Sequence, residues 1–117
     1  MNREHAVSAT PSKNALIVLS AASSRGLEWA LRVLNSKSPE SLWIVVDEKT
    51  MKTLAKRGVT RALGERIMVY SGKKLEEFSL RVLVITKPDE LYLCDERGVF
   101  EPLTRLLRLL RVSVYEC

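Results

Sequence analysis

Residues 15–21 read ALIVLSA, apolar at every position but Ser20, bounded by polar neighbours and too short to make a helix alone. A strand without apolar/polar alternation is one buried on both faces, and such strands belong to parallel sheets covered by helices on either side. The next segments fit that frame. In SSRGLEWALRVLNSK (23–37), Leu27, Ala30, Leu31 and Leu34 recur at the i, i+3, i+4, i+7 spacing of one helix face, with Ser23 or Ser24 placed to cap the start. SLWIVVD (41–47) is a second apolar, β-branched run. It leads into EKTMKTLAKRG (48–58), where Met51, Leu54 and Ala55 share a face and Gly58 supplies the stop.

Further along, RIMVYS (66–71) reads as a third strand, KKLEEFS (73–79) as a brief helical connection and RVLVIT (81–86) as a fourth strand. Pro88 interrupts the run and DELYLCD (89–95) resumes it before a turn at Glu96, Arg97 and Gly98, so these two runs are expected to be antiparallel neighbours. PLTRLLRLLR (102–111) places Leu103, Leu106, Leu107 and Leu110 on one stripe behind a proline suited to a first helical turn, and VSVYE (112–116) offers an edge strand. The expected fold is α/β: one domain over residues 14–117, with a mixed, mostly parallel sheet and flanking helices in the order β-α-β-α-β-(α)-β-β-α. Residues 1–13, polar and without periodicity, read as a mobile tail.

At 117 residues the chain is long enough for one core and too short for two. No apolar run approaches the roughly 20 residues that span a bilayer, and the first residues lack the apolar stretch of a signal peptide, so no membrane partner and a cytoplasmic location are expected. Cys94 and Cys117 lie far apart with no metal-type spacing, and the expectation is two thiols, no disulfide, no metal and no cofactor. The absence of glutamine beside abundant Arg, Lys, Glu and Val fits a heat-adapted source. A net charge of +5 favours attraction to polyanions without requiring it.

The one histidine, His5, falls in the tail, so no Ser-His-Asp or Cys-His set can be assembled in the ordered part. Adjacent carboxylates at 47–48, 76–77, 89–90 and 95–96 sit at turns or helix ends, where solvated charge is the plain account. Two clusters stand out. At the passage from first strand to first helix, Ser20, Ser23, Ser24, Arg25 and Gly26 surround a helix N-terminus that can attract an anion, and Asp47 ends the second strand where an acidic residue would meet a ribose. The glycine patterns of dinucleotide and P-loop sites are missing, so a serine-capped helix with an exposed arginine stands as the alternative. On the last helix, Arg105, Arg108 and Arg111, with Arg97 ahead of them, form a basic strip for nucleic-acid phosphates or a solvated face over buried leucines. Trp29, Trp43 and Tyr70 read as core or interface aromatics because they do not cluster on one expected surface.

The strand order, together with SLRVLVITKPDELYLC (79–94), resembles one half of a phospholipase D-like domain. That superfamily carries His-x-Lys-x4-Asp along its penultimate strand, and on this chain the three positions fall on Ser79, Arg81 and Thr86. All three residue types are replaced, which closes the covalent route through a histidine. The resemblance is to non-catalytic versions, similar to effector domains of archaeal sugar-responsive transcription regulators. It implies a dimeric binding or interaction module, not an enzyme, with a small anionic ligand held by Ser79, Arg81 and Thr86 or a protein partner. Nucleic-acid binding by the last helix and nucleotide sensing at residues 20–26 with Asp47 are the competing expectations.

Overall fold

The structure, a computed structural model, describes residues 13–117. The expected tail, His5 included, lies outside the described residues apart from Lys13. Five strands, β1 (Ala15–Ser20), β2 (Leu42–Asp47), β3 (Ile67–Tyr70), β4 (Glu90–Asp95) and β5 (Ser113–Glu116), form a single sheet in the order β3-β2-β1-β4-β5. Every neighbouring pair is parallel. The connecting helices are α1 (Ser24–Ser36), α2 (Glu48–Lys56), α3 (Leu75–Thr86) and α4 (Glu101–Leu109), with one further helical turn at Thr60–Leu63.

The apolar run that opens the fold makes the central strand, and all six of its residues are buried. Alternate side chains feed two cores. Ala15, Ile17 and Leu19 pack with Leu27 and Ala30 of α1 and Leu54 of α2, while Leu16 and Val18 pack with Val82 of α3 and Leu103 and Leu107 of α4. The sheet is therefore covered on both faces, as an all-parallel sheet requires. The α/β class and the mostly parallel sheet stand as read from sequence.

One element differs. Residues 81–86 are not a strand but the second half of α3, which also absorbs the expected short connection. The reason is topological. β3 and β4 run parallel on opposite sides of β1, and a parallel crossover needs a dozen residues or more, which the twelve of α3 supply. Its buried residues, Ser79, Val82 and Thr86, lie at i, i+3 and i+7, a helical stripe that overrides the strand preference of Val82, Val84 and Ile85. The helix ends at Lys87, which adopts a left-handed conformation, directly ahead of Pro88. The expected antiparallel pairing of 81–86 with 89–95 is replaced by parallel pairing of β4 with β1 and β5.

The thiols also differ from expectation. Leu93 pairs with Glu116 across β4 and β5, so the next residue of each strand, Cys94 and Cys117, meets its counterpart with Cα atoms 5.2 Å apart, and the two form a disulfide. Parallel register brings together two cysteines that are 23 residues apart in sequence.

Candidate functional site

The order β3-β2-β1-β4-β5 reverses direction between β1 and β4, and in open parallel sheets the crevice beyond the carboxyl ends of the strands at such a reversal is the usual ligand site. Ser20 ends β1, Asp47 ends β2 and Asp95 ends β4, so their following turns converge there.

Ser23 caps α1, its Oγ accepting from the Gly26 N–H at 3.2 Å. The anion position at this N-terminus is filled by the chain itself. The Ala22 and Ser23 N–H groups donate to Glu96 Oε1 at 3.0 and 3.1 Å, and the Ser23 hydroxyl donates to Glu96 Oε2 at 2.7 Å. These donors, the Ser23 hydroxyl first, hold the Glu96 carboxyl below the usual carboxylate range. Gly26 is required by the same contact. A Cβ there would run into Glu96 Oε1, lie 2.8 Å from Glu96 Cδ and 3.0 Å from Cys94 Sγ.

Beside this closed position lies a cavity of about 250 Å³ between α1 and α2, lined in part by Ser24, Thr50, Thr53, Arg57 and Arg97. Asp47 caps α2 by accepting from the Thr50 N–H at 3.3 Å. It also accepts from Arg97 at 3.3 Å, and the same guanidinium nitrogen reaches Thr50 Oγ1 at 3.1 Å. Among the described residues the remaining guanidinium donors of Arg97 have no partner and can meet an incoming acceptor. Arg57 is paired with Glu28 across the top of the cleft. Asp95 accepts from the Val99 and Phe100 N–H groups at 2.9 and 2.8 Å, tying the end of β4 to the start of α4. Asp47, Asp95 and Glu96 are therefore each engaged in holding backbone or a cation.

Of the residues expected at the anion site, Ser20, Ser23, Ser24, Gly26 and Asp47 do converge on this edge. Ser20 is fully buried and its hydroxyl has no partner among the described residues. Arg25 is exposed and lines a different hollow, with Trp29 and Arg32. Ser79, Arg81 and Thr86 are not brought to the crevice. They lie along α3, with Ser79 and Thr86 buried, the Thr86 hydroxyl donating to the Val82 carbonyl at 2.8 Å and Arg81 at a separate surface hollow. The strand on which the phospholipase D-like pattern was laid is a helix, so the three residues do not mark the two ends of a strand.

The basic strip is also dispersed. Arg97 turns to Asp47, Arg105 pairs with Glu101 at 2.7 Å, Arg108 pairs with Glu116, and Arg111 sits in the turn after α4. Thr50, Arg57 and Glu96 are site residues that the sequence reading passed over. Glu96 was legible only once β4 was known to run parallel to β1. Among the described residues no group of three or more His, Cys, Asp or Glu is placed to hold a metal, and no helix is long and apolar enough to cross a membrane.

No known protein family, curated protein or solved structure matches the chain.

Proposed function

We propose that the chain is a binding module that takes a small anionic group, a phosphate or carboxylate, in the crevice between α1 and α2. The observation that carries this reading is the pair of guanidinium groups, Arg57 and Arg97, lining one cavity with the hydroxyls of Ser24, Thr50 and Thr53 at the reversal point of the sheet. Charge-assisted bonds from Arg97 and hydroxyl donation from Ser24 and Thr50 suit an oxyanion, while the Thr53 hydroxyl already donates to the Lys49 carbonyl. The volume suits a phosphate or small phosphorylated metabolite and is small for a dinucleotide. Binding without catalysis fits carboxylates already committed to caps and ion pairs. A cytoplasmic location is compatible with the Cys94–Cys117 bond in a heat-adapted cell, where intracellular disulfides persist.

Thermal denaturation in inorganic phosphate, sulfate and nucleoside monophosphates tests the reading. At 100-fold excess over Kd, one site adds about 2.7 kcal/mol of stability. The expected outcome is a concentration-dependent rise in Tm that Arg97→Ala abolishes; a flat response, or one untouched in Arg97→Ala, overturns it.

A second reading, self-association, is favoured by the outer face of α3 and α4. Leu80, Val84, Leu109 and Leu110 are well exposed there, Leu109 to 75%. A groove between the two helices, lined by Leu80, Pro102, Leu106 and Leu109 with Glu76 and Arg105, lies among them. A groove and protruding leucines on one face can be matched by the same face of a second copy about a two-fold axis. Sedimentation equilibrium should then give twice the chain mass, reverting to the monomer in Leu109→Glu.

A further inference from the structure

We propose that the exposed edge formed by β5 on the α1 side of the sheet, together with one stripe of α1, binds single-stranded nucleic acid by stacking a base on Tyr115 and holding phosphates with Arg25 and Arg32. On the far side of the sheet, β4 and β5 are covered: Leu91 and Val114 pack with Leu103 and Leu107 of α4. On the α1 side no helix among the described residues packs closely over β5, and Tyr115 is 47% exposed.

The aromatic residues there form a series. The Trp29 ring on α1 lies 6.4 Å from that of Tyr92 on β4, tilted by 49°. Tyr92 stacks on its register neighbour Tyr115 of β5, with centroids 5.0 Å apart and planes within 19°. Lys37 Nζ sits 5.1 Å from the Tyr92 ring centre. The series ends at an edge strand, on a ring whose outer side faces solvent, and a nucleobase continues it. Every base has a face that stacks, so such a platform tolerates sequence.

The charge beside the rings is of the right sign and placed in line. Arg25, Trp29 and Arg32 are spaced i, i+4, i+7 and share one face of α1, with the arginines about 10 Å apart along the axis. Both arginines are exposed and neither has a carboxylate partner among the described residues. They line a hollow of about 510 Å³ with Gly26, Trp29, Glu96 and Cys117. The acidic side chain in that hollow, Glu96, is held by Ala22 and Ser23. Lys37 is partnered by Glu90, so it contributes to the ring series and not to phosphate contact. The surface differs from the last-helix strip, where Arg105 and Arg108 are both paired.

Fluorescence anisotropy with labelled 12-nucleotide RNA and DNA, at 50 and 200 mM salt, tests the assignment. The full chain is expected to bind, with Tyr115→Ala weakening binding by roughly tenfold or more, as loss of one stacked base predicts. Tyr115→Phe keeps the ring and should retain most of the affinity. The double variant Arg25→Ala/Arg32→Ala should weaken binding and flatten the logarithmic salt dependence by about 1.4, two phosphate contacts at about 0.7 each. Arg105→Ala/Arg108→Ala should leave binding within about twofold. No binding at 50 mM salt overturns the proposal. So does equal affinity for inorganic polyphosphate with no effect of Tyr115→Ala, which marks unspecific attraction to a basic protein, or a larger loss in the Arg105/Arg108 variant.

Discussion

Ser23 serves two partners at once, closing the first turn of α1 through Gly26 and donating to Glu96. Ser23→Ala should therefore cost about 1 kcal/mol as a lost cap, read from urea denaturation. It should also remove the hydroxyl donor to the Glu96 carboxyl while leaving the two backbone N–H donors in place. Because the folded state lowers the Glu96 pKa, its share of stability is present above the ordinary glutamate value and is lost as pH falls through the folded value. The acid limb of a stability–pH profile should be shallower in Ser23→Ala than in the parent chain; identical limbs would show that the hydroxyl does not hold the carboxylate. At this scale the sequence was informative where strand-to-helix passages are local: Ser20, Ser23, Ser24, Gly26 and Asp47 all stand at the edge where the reading put them. Glu96 was not legible, because its place depends on a pairing between strands more than 70 residues apart.

Among the elements, α3 shows most clearly where pattern reading stops. Six residues rich in Val and Ile carry a strand signal, and neither periodicity nor propensity over so short a run separates a strand from one turn and a half of buried helix. The decisive information is the parallel sense of β3 and β4, which only a crossover of that length can connect. The helix makes a prediction that a strand would reverse. Val82 is fully buried and Val84 is 70% exposed. Val82→Ala should destabilise by roughly 1–3 kcal/mol, while Val84→Ala should be neutral or gain up to about 0.7 kcal/mol from helix propensity. In a two-faced central strand both would destabilise. Chemical denaturation of the two variants separates the alternatives.

For the whole molecule, alternating strands and helices were enough to give the α/β class, since a central strand buried on both faces leaves few other arrangements. The disulfide was not foreseen, because spacing in sequence says nothing about register between parallel neighbours. Cross-linking residues with a separation of 23 restricts the unfolded chain by about 3 kcal/mol in the loop-entropy account. Cys117→Ser, or treatment with a dithiol reductant, should lower the unfolding free energy by about that amount; an unchanged urea midpoint would show that the bond adds nothing.

That bond also gives the polypeptide a covalent ring running from the last two residues of β4 through α4 and β5. If the chain were drawn out between residue 13 and residue 117, the ring would stay shut after every hydrogen bond had parted. With a sequence separation of 23, the oxidised chain would reach its taut length roughly 80 Å sooner than the reduced one. A tensile load would pass from Cys117 straight to Cys94, at the end of β4 beside the central strand, without first peeling the outermost strand away.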